Sequence, residues 1–239
     1  MSIAESSGLR RALVLALLAL AGPVQAQVAT VRAQVVVRHP RSHPRGSDGN
    51  ANVVVWLLPL DGKVDIAAAV ARPFQIVQKD KQFHPHVLAI PVGATVTFPN
   101  RDPFFHNVFS LYKGERFDLG LYEAGSSRSV RFDRPGVSFV FCNIHPEMNG
   151  YIVALETPYF GISDAGGGVQ IADVPAGRYR VEVWYERAEG LELARLAREV
   201  SVSGADATLG KIEVRESERF LPGHTDKHGR PYALDKIPY

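Results

Sequence analysis

The stretch FCNIHPEMNG, residues 141–150, holds the only cysteine of a 239-residue chain and one of its two methionines. Cys142, His145 and Met148 follow one another as C-x2-H-x2-M. The start of the chain reads as an export leader, and an exported protein with one cysteine cannot close an internal disulfide, although its compartment favours them. Such a lone thiol is a reactive group, an intermolecular link, a small core residue or a metal ligand. Composition does not choose among the four. Local spacing does.

Working outward, PNRDPFFHNVFS places His106 upstream of the cysteine, just past a strand that ends in Phe98-Pro99-Asn100. In a β-sandwich these two loops can meet at one end. One thiolate, two imidazoles and one thioether then face a common point. That donor set is the ligand field of a mononuclear type 1 copper site, with thiolate and two histidines in a trigonal plane and a weak, long axial methionine. Structural zinc sites, by contrast, are filled by cysteine and histidine. A binuclear copper centre needs two bridging thiolates, and the chain has one. A thiol nucleophile paired with histidine leaves His106 and Met148 without a role. Taken singly, each residue has a bland reading: a lone cysteine or methionine fills core, and a histidine beside two phenylalanines is hydrogen-bonded in the core or at the surface. The four together point to a metal.

Strand signals dominate the rest. VATVRAQVVV (28–37) alternates, and ANVVVWLLPL (51–60) is a second β-branched run, with the Pro-, Gly- and Ser-containing loop RHPRSHPRGSDGN between them. VLAIPVGATVTFPN (87–100) predicts two strands around a Val-Gly turn, SSRSVRFDRPGVSFVFCN (126–143) two more around Arg-Pro-Gly, and YIVALE (151–156) another. Composition breaks at TPYFGISDAGGG (157–168), after which VQIADVPAGRYRVEVWYER, REVSVSG and ATLGKIEVRE read as further strands. Short strands joined by Gly and Pro turns imply an all-β sandwich architecture. Helical patterns are weak: KVDIAAAVARPF predicts a turn or two before Pro73, and LELARLARE (191–199) a loop helix or a hairpin tip.

Residues 1–26 have the form of a signal peptide: Arg10 and Arg11, the apolar run ALVLALLALAG, then small residues ending at Ala26. Eleven apolar residues are too few for a membrane span, which needs about 20. Export to a periplasm and no membrane span in the mature chain are therefore expected. Without the leader, 25 basic residues face 24 acidic ones, a net charge of +1. A nucleic-acid partner would call for a strong basic excess.

FHPHVLAIPVGATVTFPNRDPFFHNVFS followed by FCNIHPEM resembles the cupredoxin (type 1 blue copper) family, with its Val-Gly-x-x-Val-x-Phe-x-Asn before one histidine and Cys-x-x-His before the other. The short C-x2-H-x2-M loop is more similar to amicyanin than to plastocyanin. FDLGLY (117–122) also resembles exported amicyanin-like proteins of the methylamine utilisation kind. The resemblance implies a cupredoxin-type Greek-key sandwich over residues 73–156 and one copper held by His106, Cys142, His145 and Met148. It also implies that Asn107 pins the cysteine loop by hydrogen bonding. Glu147 departs from the pattern, placing a carboxylate beside the histidine that usually lies nearest the surface. Such a charge favours Cu(II), a cationic partner, or simply solvent.

GISDAGGGVQIADVPAGRYRVEVWYE resembles transthyretin-like modules of the carboxypeptidase-regulatory type, with an Asp-x-x-Gly turn and a Pro-x-Gly-x-Tyr strand start. That likeness implies a second small β-sandwich from residues 27–72 and 157–216, into which the cupredoxin is inserted or against which it packs. It is expected to serve as scaffold or docking surface. Residues 217–239 read as an extended tail. His84 and His86, two apart, are expected to share a strand face; with His39, His43, His224 and His228 they are read as exposed polar residues or loose copper sites. Phe104 and Phe105 read equally as a docking patch or as core.

No carboxylate pair, Ser-His-Asp set or phosphate loop stands out, and a saturated copper site leaves no open position for substrate, so no enzyme is expected. The resemblance implies a one-electron carrier, a monomer, serving exported redox proteins such as a cytochrome or a dehydrogenase. The alternative is a copper storage or delivery protein without redox traffic. A third reading, an interaction module with a degenerate site, fits poorly with a complete ligand set.

Overall fold

The alternation of apolar and polar residues in VATVRAQVVV becomes β1 (Val28–Arg38), whose buried residues are every second one. β2 (Val54–Pro59) and a single helical turn, α1 (Ala67–Val70), follow. The chain then forms β3 (Phe74–Gln75), β4 (Val77–Lys79), β5 (Gln82–His84), β6 (Val87–Pro91) and β7 (Thr95–Pro99). Next come β8 (His106–Ser110), β9 (Phe117–Tyr122), β10 (Ser127–Arg131), β11 (Gly136–Phe141) and β12 (Asn149–Leu155). The last elements are β13 (Phe160–Ile162), β14 (Gly168–Pro175), β15 (Gly177–Trp184), α2 (Gly190–Leu196), β16 (Arg198–Val202) and β17 (Ala207–Arg215). The computed structural model describes residues 28–40, 49–62, 64–111 and 114–217. The leader, the tail beyond Ser217, His43, His224 and His228 lie outside the described residues.

The fold is all-β. One sandwich packs the sheet β14-β1-β17 against β13-β2-β15-β16. β1 pairs antiparallel with β14 and parallel with β17, with Val31 opposite Ile171 and Val35 opposite Ile212. A second sandwich packs β10-β7-β3 against β6-β12-β11-β8-β9. In the latter sheet β12 runs antiparallel to β11 and parallel to β6. The chain leaves the first sandwich after β2 and returns at β13, which pairs with β2 itself through Phe160 and Trp56. Everything from β3 to β12 lies between these two neighbouring strands.

The inner sheets of the two sandwiches also pack on each other. Along β2, Val55 and Leu57 face the first core, while Val54 and Trp56 face the other sandwich. Along β12, Ile152 and Ala154 face their own core, and Tyr151, Val153 and Leu155 face outward onto the first sandwich. β2 and β12 are thus packed on both faces, which is why VVVWLL and YIVAL are continuous apolar runs instead of alternating ones. Tyr151 stacks on Phe139, with ring centroids 4.4 Å apart and planes within 2°, and lies 5.1 Å from Trp184.

Turn chemistry fixes the ends. Gly167, at φ +88°, lets its carbonyl accept the Val35 amide at 2.7 Å, and a Cβ there would collide with the Val35 carbonyl. The Asp164 carboxylate accepts the Gly168 amide at 2.9 Å in the same turn. α2 forms a loop helix between β15 and β16. The break at residues 157–168 contains β13, too short for an apolar pattern to reveal. The expectation that His84 and His86 share a strand face is not met. β5 ends at His84 and β6 begins at Val87, with a bend between them. His84 is exposed; His86 is half-buried, its Nε2 3.0 Å from the Glu186 carboxylate of the first sandwich. His39 pairs with Glu216 at 2.8 Å.

Candidate metal centre

β8 begins at His106, and β11 ends one residue before Cys142. The last rung between β11 and β12 joins Phe141 to Asn149, so residues 142–148 form the loop that crosses the end of the sandwich. That loop is pinned from within. The Cys142 amide donates to the Met148 carbonyl, and the Met148 amide to the His145 carbonyl, both at 3.0 Å. A chain so tied fixes the backbone of Cys142, His145 and Met148 in one tight turn.

Cys142, His106 and Met148 are fully buried, and His145 is 7% exposed. Both imidazoles present Nδ1 to the thiol. The Cys142 Sγ lies 3.7 Å from Nδ1 of His106 and 3.5 Å from Nδ1 of His145, and the two Nδ1 atoms are 3.1 Å apart. The point equidistant from these three atoms is about 2.0 Å from each, close to metal–imidazole and metal–thiolate bonds of about 2.0–2.1 and 2.3 Å. Among the described residues these three form the one group of histidine, cysteine and carboxylate side chains gathered closely enough to hold a metal ion. Met148 lies buried in the same apolar cluster as Cys142.

The tautomers are set by what lies behind the rings. Nε2 of His106 is 2.7 Å from Oδ2 of Asp102, so it donates there and Nδ1 keeps its lone pair. Burial pushes the His106 pKa down, against the pull of Asp102. Burial, with His106 and Lys81 adding to it, lowers that of His145 to about 4. Burial pushes the Cys142 thiol up, although the backbone amides of Asn107, Ile144 and His145 all reach its sulfur. At neutral pH Cys142, His106 and His145 are therefore neutral, and a metal ion held by them would take the place of the thiol proton. Thiolate, two imidazole lone pairs and a thioether make a soft donor set that fits copper.

Asn107 is buried beside the centre. Its Oδ1 accepts the Asn143 amide at 3.3 Å, and its Nδ2 donates to Asp118 at 2.8 Å. Glu147 is exposed. Phe104 is half-buried and packs on both rings, 5.2 Å from His106 and 5.5 Å from His145, with the Lys81 ammonium 5.5 Å above its own face. Phe105 is 53% exposed and Leu121 56%. The sequence reading missed Asp102. The only signal was an acid four residues before His106, and its contact depends on the turn at Pro103 and on a hairpin more than 20 residues away.

No family model matches the chain, and no curated protein matches it. Among solved structures it is similar to a purple cupredoxin from Nitrosopumilus maritimus, 28% identical over 34% of this chain and 99% of that one, with a TM-score of 0.32. It is also similar to a copper-containing nitrite reductase from Thermus scotoductus SA-01, 30% identical over 41% of this chain, with a TM-score of 0.34; the match spans only 27% of the reductase. An oxidized amicyanin mutant is 22% identical over 42% of this chain and 99% of its own, with a TM-score of 0.33.

Proposed function

We propose that this chain is an exported, cupredoxin-type copper protein that carries single electrons between redox partners. His106, Cys142 and His145 would hold one type 1 copper, with Met148 as the weak fourth donor. The observation that carries this reading is the convergence of two Nδ1 atoms and one sulfur about a single buried point. Copper supplies a one-electron couple at such a site. The chain's own residues do the rest. Interlocked backbone bonds hold Cys142, His145 and Met148 in one arrangement, so little has to move when charge changes. Apolar packing by Phe104 and Ile144 excludes water. His145, the one residue of the four with any exposure, 7%, is the route by which an electron enters and leaves. Full burial of the other three argues against release to a copper acceptor, the storage and delivery alternative. No substrate position is left beside a filled donor set, so a carrier is favoured over an enzyme.

The test is the visible spectrum of the mature protein after addition of Cu(II), beside Cys142→Ser. An intense thiolate-to-copper charge-transfer band, lost in the variant, supports the reading. A protein that binds copper without colour supports storage instead. Absence of binding removes the site.

A further inference from the structure

His106 differs from His145 in having a carboxylate at its back. Asp102 is 5% exposed, and its Oδ2 accepts from Nε2 of His106 at 2.7 Å. Among the described residues His145 has no such partner. Asp102 does not depend on His106 for its place. The amide of Asp80 donates to Oδ1 at 2.7 Å and that of Lys81 to Oδ2 at 3.0 Å. Both residues sit at the tip of the β4–β5 hairpin with φ of 56° and 57°, a left-handed pair that turns two successive amides toward one acceptor. The amide of Asp102 itself donates to Oδ1 of Asn100 at 3.0 Å, and Asn100 is in turn held by the Phe104 carbonyl at 2.8 Å. A buried carboxylate normally demands such satisfaction. Here the hairpin supplies it from a part of the chain with no donor atom at the centre.

We propose that Asp102 is a positioning residue for the metal centre, one that locks His106 in the Nε2–H tautomer before any metal arrives and biases the bound ion toward its higher charge. The inference rests on the copper reading above. A carboxylate hydrogen-bonded to a ligating histidine fixes the ring and raises its basicity as a ligand. Its negative charge, one ring away from the metal, stabilises Cu(II) more than Cu(I) and so holds the reduction potential down. His106 would then be the firmly held imidazole and His145 the one with freedom at its outer edge.

Asp102→Asn removes the charge and, with its amide oxygen in the place of Oδ2, still accepts from Nε2–H, although its NH2 then meets the Asp80 amide. In this variant the charge-transfer band is expected to persist, the midpoint potential to rise, and Cu(II) affinity to fall about 10- to 100-fold, the range for residues that support a ligating histidine. Cu(I) affinity is expected to fall less. A coloured variant with unchanged potential and an unchanged ratio of the two affinities would overturn the role of Asp102 and leave the copper reading intact. A wild type without the band would remove both. The unmutated, copper-free protein gives a second measurement that needs no variant to fold. Long-range proton–nitrogen correlation spectra are expected to report His106 as Nε2–H with a bare Nδ1, and an Nδ1–H tautomer there would overturn the lock.

Discussion

Asn107 and Asn143 are joined across the end of the sandwich, the side-chain oxygen of the first accepting the amide of the second at 3.3 Å. The bond ties the strand that starts at His106 to the loop that carries Cys142 and His145. Asn107 is 1% exposed, so its replacement by alanine leaves a cavity where water enters poorly. The Asp118 carboxylate loses a donor at the same time. Asn107→Ala is expected to destabilise the protein by about 1–3 kcal/mol, from the loss of two hydrogen bonds worth about 0.5–1.5 kcal/mol each. The copper band should also weaken or shift as the loop loosens. Urea unfolding together with the visible spectrum checks this; an unchanged midpoint and spectrum would show the bond to be incidental.

Copper should stabilise a fold that does not need it. Both sandwich cores and the layer between them are built from apolar side chains, so the copper-free protein is expected to have the far-ultraviolet circular dichroism of the loaded one. A ligand that binds only the folded state adds about 2.7 kcal/mol at 100 times its dissociation constant. Thermal unfolding with and without Cu(II) should therefore show a higher Tm in its presence, and Cys142→Ser should lose most of the gain. Equal gains in both proteins would place the stabilising copper elsewhere.

Much of the fold was legible because its longer strands carry β-branched runs, alternating in β1 and continuous in β12. β1, β6, β7, β11, β12, β14, β15 and β17 announce themselves by β-branched runs, several of them beside Gly or Pro turns. β3, β4, β5 and β13 did not, since two or three residues carry no period: β13 is held by a distant partner, Phe160 opposite Trp56, and β4 and β5 pair with each other. That Cys142 and His145 come together was likewise readable, because they share one short loop. Asp102 was not. Its contact with the hairpin amides of Asp80 and Lys81 is a product of tertiary structure, and nothing local distinguishes it from a surface aspartate.

The buried tyrosines should make the protein sensitive to alkali. The Tyr179 hydroxyl donates to the Pro175 carbonyl at 2.8 Å, and burial, with Tyr159 nearby, pushes its pKa up to about 12. Burial raises Tyr122, Tyr151 and Tyr185 as well. A free tyrosine ionises near pH 10. Between about 10 and 12 the unfolded chain therefore releases a proton that the folded one keeps, and mass action favours unfolding. Stability is expected to be full below pH 10 and to fall through that window. Tyrosinate absorbance should rise together with the loss of near-ultraviolet dichroism, and less so in Tyr179→Phe. Ionisation of Tyr179 near pH 10 with the fold intact would contradict its burial.

Tyr151 is placed to couple the two sandwiches. Its ring stacks on Phe139 of its own sheet, meets Trp184 of the other sandwich, and receives the edge of His86 at 5.5 Å. The neighbouring residue, Ile152, faces the core that holds Cys142 and Met148. Because β2 and β12 each contribute to two packed layers, the wild type is expected to unfold in a single calorimetric transition. Tyr151→Ala removes a large side chain from the shared layer, at a cost of about 3–5 kcal/mol. That loss should weaken the coupling, so that the transition broadens or divides, the first step leaving the copper band in place. A wild type that already melts in two steps would show that the layer between the sandwiches does not bind them into one unit. A variant that melts sharply at a lower temperature would mean that the chain crossings at β2 and β13, together with the remaining apolar contacts, are enough to keep them coupled.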